Sequence, residues 1–141
     1  MALETAAVSL VPTFKAAAAG AVAVMALDAV WLGLLMKSFY RRQLEPIVRL
    51  ADGGIAPNWP AAFVVYLLLG IGIAIFVVPR TATVSSAAAF GALFGLVVYG
   101  VYDFTNYSTL RQWPFALTVV DVAWGAVVSS AASAVARLVV R

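Results

Sequence analysis

Apolar residues in this chain gather into four long blocks, at 14–36, 60–78, 84–104 and 114–136. About 20 residues of helix cross the hydrocarbon core of a bilayer, so each block reads as a membrane-spanning helix. The blocks are rich in Leu, Ala, Val and Gly and lack period-2 alternation, which argues against an outer-membrane barrel. About twenty residues separate the first two blocks, five join the second to the third, and about ten join the third to the fourth. Short connections imply antiparallel neighbours. The predicted fold is therefore all-α, an up-down-up-down four-helix bundle forming one transmembrane domain over 1–141.

Composition strengthens this reading. The 141 residues are 65% hydrophobic and 11% charged, with a mean hydropathy of +1.03. Soluble domains run at roughly 45–50% apolar and 25% charged, and a small fold buries too little surface to hide such an excess. Intrinsic disorder is excluded by the same figures. The chain holds neither Cys nor His. That removes disulfides, thiolate or imidazole zinc sites, haem ligation by these residues, cysteine nucleophiles and Ser-His-Asp triads.

The polar residues that interrupt the blocks refine the topology. A cleaved signal peptide is disfavoured at the first block. Its n-region would be long, with Lys15 as the only basic residue, and Asp28 and Trp31 would fall in the cleavage region. An even number of crossings puts both termini on the side of Arg80. That side carries Lys15, Arg80, Arg137 and Arg141, against Lys37, Arg41, Arg42, Arg49 and Arg111 on the other. If the basic trailing flank of the first helix dominates, that flank is cytoplasmic and both termini are external. The expected location is the inner membrane of a bacterium, crossed several times.

Between the first two spans, residues 37–50 mix basic and apolar side chains. This suits an interfacial helix with its arginines on lipid phosphates. A basic flank without any specific ligand explains it equally well. Trp59, Trp113 and Tyr107 fall at span ends, where an aromatic belt accounts for them. In the third span Ala87, Gly91 and Gly95 recur at every fourth position, as do Gly125, Ser129 and Ser133 in the fourth. Such stripes let helix backbones approach closely in lipid.

Three acids lie within or at the end of spans, where a charge is costly. Asp28 precedes the end of span one by eight residues, and Asp121 follows the start of span four by seven. The two spans run in opposite directions, so both carboxyls sit roughly 10–12 Å from the same face at 1.5 Å per residue. Asp103 closes span three at that face. Tyr99, Tyr102, Asp103 and Asn106 stand at i, i+3, i+4 and i+7, one side of a helix. Trp31 and Trp124 each follow an acid by three residues, near enough to lie beside their own carboxyls. A break after Phe104 would place the hydroxyls of 105–109 at the mouth of a pocket, and Arg41 or Arg42 would reach down to keep one acid ionised. The expected ligand-binding set is Asp28, Trp31, Arg41, Tyr99, Tyr102, Asp103, Asn106, Asp121 and Trp124. Against it stands a plain interhelical clasp, with the acids hydrogen-bonded to Tyr, Trp or Asn.

Several strings carry a resemblance. They are Asp28-Ala-Val-Trp31-Leu-Gly33, Phe39-Tyr-Arg41, Pro57-Asn-Trp59, Gly100-Val-Tyr-Asp-Phe-Thr-Asn-Tyr-Ser-Thr-Leu-Arg-Gln-Trp-Pro114 and Val120-Asp-Val-Ala-Trp-Gly125. On these the chain resembles the bacterial family of small integral membrane proteins catalogued as domain of unknown function 2177, over nearly its whole length. The resemblance implies four helices in a bacterial membrane and no settled activity.

Three functions follow as expectations. The first is a site that binds or acts on a lipid-like or small polar ligand. The second is a small proton-coupled transporter working as an oligomer, and the third a non-catalytic subunit of a larger membrane complex. No tight acid repeat fixes a metal, so neither a metal nor another cofactor is expected. Membrane lipids and further membrane chains are the expected partners, and nucleic acid is not.

Overall fold

The computed structural model describes residues 10–141; most of the n-region weighed above for a signal peptide lies outside them. Helix α1 (Leu10–Val30) runs into a π-helical turn, Trp31–Leu35, and is followed by the short α2 (Lys37–Leu44). Strands β1 (Leu50–Ala51) and β2 (Gly54–Ile55) pair antiparallel around Asp52 and Gly53, both at positive φ. That is the geometry in which an Asp-Gly hairpin turn is at ease. Helix α3 (Trp59–Gly72) continues through a second π-helical turn, Ile73–Val77, and a 3₁₀ turn, Val78–Arg80. Helices α4 (Val84–Thr109) and α5 (Phe115–Val139) complete the chain.

Local chemistry sets the helix starts. The Asn58 side chain accepts from the Ala61 amide, with Pro60 in the first turn of α3. Thr83 and Ser86 form a reciprocal capping box at the start of α4.

Four helical stretches are long and apolar enough to cross a membrane: Leu10–Leu35, Trp59–Arg80, Val84–Thr109 and Phe115–Val139. The bundle is all-α apart from the hairpin. The third span differs from expectation, because no break follows Phe104. Ser108 and Thr109 donate their hydroxyls back to the Thr105 carbonyl, at 2.8 and 2.9 Å. The polar stretch thus satisfies itself locally, and the helix runs on to Thr109.

Large apolar side chains such as Leu34, Phe63, Leu68, Leu93 and Val101 cover the outside. The interior is small and tight. Span one packs between spans two and four, and span four between spans one and three; span two meets span three mainly through its π-helical end. The two small-residue stripes face each other. Ala87, Gly91 and Gly95 of α4 and Gly125, Ser129 and Ser133 of α5 are all buried. A Cβ at Gly95 would strike the Gly125 carbonyl and the Ser129 side chain, and one at Gly91 would strike Ser133. Gly70 of α3 lies as close to the Ala17 carbonyl of α1.

This seam separates backbone contact from hydrogen bonding. The hydroxyls of Ser129 and Ser133 are buried without partners. Gly95→Ala should therefore lower stability in a detergent unfolding titration by about 1–3 kcal/mol, the usual cost of overpacking. Ser129→Ala, which removes an unbonded polar group, should stay within about 0.5 kcal/mol of wild type or exceed it.

Candidate functional site

Asp28, Asp103 and Asp121 lie seven, six and six residues from the ends of their spans at one face. At 1.5 Å per residue all three are about 9–11 Å deep. Because α4 continues past it, Asp103 is as deep as the others instead of closing its span.

Side chains on a helix lean toward its N-terminus. Spans one and four are antiparallel, so Trp31 and Trp124 lean toward each other and meet between the helices. Their rings stack with centroids 4.3 Å apart and planes 3° from parallel. This crossing decides the hydrogen bonds. Trp124 Nε1 donates to Asp28 Oδ1 at 2.7 Å. Trp31 Nε1 donates to the Tyr40 hydroxyl at 3.1 Å, and that hydroxyl donates to Asp121 Oδ1 at 2.5 Å. Each Asp-x-x-Trp indole therefore serves the acid of the opposite helix, where the spacing alone suggested its own.

Tyr40 is the single buried residue of α2, so the interfacial helix is plugged into the bundle by its phenol. Burial, and then the charge of Asp121, hold that phenol above its ordinary ionisation range. Tyr66 of α3 lies beside Asp28, and Tyr99 of α4 stands among Asp28, Asp121, Tyr66 and Tyr40 with its ring against Gly125.

Asp103 is different. It is 0% exposed, and neither carboxyl oxygen has a hydrogen-bond partner among the described residues. Its nearest ionisable influence is Asp121. Two carboxylates are acceptors only and can bond each other only through a proton. No described Lys or Arg forms an ion pair with any of the three acids. Among the described residues no three acids gather closely enough to hold a metal ion.

The sequence pattern of the family described as "Predicted membrane protein (DUF2177)" matches residues 13–138. The chain belongs to that family. No curated protein and no solved structure matches it. The DUF2177 match takes in all three acids, both indoles and Tyr40.

Two expected members of the DUF2177 site stand elsewhere. Arg41 is exposed, with its guanidinium near the Gly53 turn and far from an ion pair. Its neighbour Tyr40 reaches the acid, one position along a helix being a turn of about 100°. Tyr102 is 57% exposed and meets the edge of Trp113. The stripe from Tyr99 to Asn106 spans about 100° of arc, with Tyr102 and Asp103 at its opposite edges. Only the Asp103 edge is buried against span four; Tyr99 and Asn106 are half-buried. The stripe faces span four and not span one, which is not its neighbour. Tyr40 and Tyr66 were missed, although Tyr40 sits inside the Phe39-Tyr-Arg41 string.

Two outcomes check the crossed pairing. A double-mutant cycle between Asp28→Ala and Trp124→Phe should give a coupling of about 0.6–2 kcal/mol, the range for interhelical hydrogen bonds in membranes. The cycle between Asp28→Ala and Trp31→Phe should show less coupling. For Tyr40 the raised ionisation means that its bond to Asp121 is fully present below about pH 10 and lost only as pH climbs beyond that. In an ultraviolet titration Tyr40→Phe should leave the tyrosinate signal at about pH 10 unchanged. A fall in that signal would remove Tyr40 from the clasp.

Proposed function

We propose that the acid–aromatic cluster is the binding site for a small polar or amphiphilic molecule, in a protein of the bacterial inner membrane. The observation that carries this reading is Asp103, fully buried beside Asp121 with no donor to either oxygen. A carboxyl without a partner inside a membrane is costly. What it lacks is a hydrogen-bond donor, and a cationic or amine-bearing head supplies one together with a charge. The divergence of span two from span three supports a lateral route, since Tyr66 and Tyr99 are only half-buried behind that gap. Asp28 and Asp121, already bonded to an indole and a phenol, would frame such a site.

A second reading rests on that same saturation. If the crossed bonds are the whole purpose of the acids, the chain is a structural subunit that pins helices within a larger membrane assembly.

Native mass spectrometry of the purified chain separates the two. Asp103→Asn keeps the shape of the side chain and offers an amide donor toward Asp121, so the variant should unfold no more easily than wild type. The wild-type chain should carry a bound molecule that Asp103→Asn retains about tenfold less, the effect of one charged hydrogen bond. Equal retention by both chains, or a wild type that carries nothing, would favour the structural subunit.

A further inference from the structure

At the end of the bundle away from the acids lies a cavity of about 380 Å³. Ala16, Ala74, Val78 and Val140 make its walls largely apolar, and no lining residue is acidic. One cation enters it, Arg137, from the last turns of α5. Its Nη2 donates to the Ala82 carbonyl at 3.0 Å, tying the connection between spans two and three to span four. Its Nε is shut off from solvent and has no hydrogen-bond partner. No described carboxylate pairs with it. Thr81, on the same wall, turns its hydroxyl to the carbonyls of Val77 and Val78 instead.

A guanidinium stays charged and carries five donors in a planar fork. Here one carbonyl uses part of that capacity, and the charge has no counter-ion. Near a membrane surface the abundant acceptor of matching shape is a phosphate, which binds arginine through charge-assisted hydrogen bonds. We infer that this cavity is a phosphate-binding site with Arg137 as the residue that holds the anion. The phosphate belongs to a lipid headgroup or to a free phosphate. The apolar walls suit the lipid, whose glycerol and first methylenes need such a lining. The site is independent of the acid cluster and stands whether or not that cluster binds a ligand.

The test uses the full chain in detergent micelles with three probes: dioleoylphosphatidylglycerol, a glucosyl diacylglycerol that lacks phosphate, and inorganic phosphate. Native mass spectrometry should show one saturable phosphatidylglycerol per chain and none of the glucosyl lipid at the same concentration. Arg137→Gln should weaken the phosphatidylglycerol adduct about tenfold, and Arg137→Lys, which keeps the charge, should weaken it less. Arg137→Gln also loses the tie to Ala82, so a second variant leaves the arginine in place. Val140→Glu sets a carboxylate in the cavity wall as an internal counter-ion and should expel the lipid to the same degree. Inorganic phosphate that competes with the lipid identifies the anion alone as sufficient; failure to compete identifies the lipid as the source. The proposal is overturned if the glucosyl lipid binds as tightly as phosphatidylglycerol, or if Arg137→Gln and Val140→Glu both bind phosphatidylglycerol as the wild type does.

Discussion

A carboxyl group inside hydrocarbon must take its hydrogen-bond donors from the protein, because the lipid has none to give. In this bundle the donors for Asp28 and Asp121 come from across the helix boundary: the indole of Trp124 and the phenol of Tyr40, itself held by Trp31. The antiparallel direction of spans one and four makes the exchange possible. The N-terminal lean of side chains moves the two indoles toward a common level, where they stack face to face. Depth, pairing and the position of the interfacial helix all follow from satisfying these two acids.

The remaining contacts divide the labour. Between α4 and α5 the backbones meet directly at Gly91, Gly95 and Gly125, with no room for a Cβ. Close packing of this sort holds helices where hydrophobic burial offers no net drive. Spans one and four instead rely on directed polar bonds near one face, with small residues such as Ala16, Val24, Val128 and Ala132 packed below them. Tyr40 links the segment outside the membrane to that polar layer. One end of the molecule is thus rich in acceptors and the other in unneutralised arginine.

How much of this was legible in the residues depends on the range of the physics involved. Hydropathy is a local property, so four spans could be read from it, and matching counts from span ends put Asp28 and Asp121 level. The glycine and serine stripes declared close packing but not their partner. The exchange between the two Asp-x-x-Trp motifs was hidden, because spacing along one helix says nothing about a ring that leans onto its neighbour. Charge reasoning chose Arg41 over Tyr40, yet a phenol can enter the bundle with little desolvation cost while a guanidinium stays in the headgroup layer. Tyr102 turned outward because a stripe covering a third of a helix is wider than the contact it makes. Arg137 read as an ordinary basic flank, since its buried Nε depends on a loop that folds over it from another part of the chain.

The π-helical turn at Trp31–Leu35 bears on how this segment can change. Its wide turn is closed by the Met36 amide on the Trp31 carbonyl at 2.7 Å. A π turn holds one residue more than the α turn it replaces, and such single-residue insertions often sit at functional places. Removing any one residue there would restore a regular helix, still long enough to cross the membrane. It would also rotate everything beyond by about 100°, carrying the Tyr40 hydroxyl away from Asp121 and swinging an arginine toward the lipid. Substitutions between Trp31 and Tyr40 are therefore open to drift in a way that deletions are not: the length of this segment is itself part of the fold's specification.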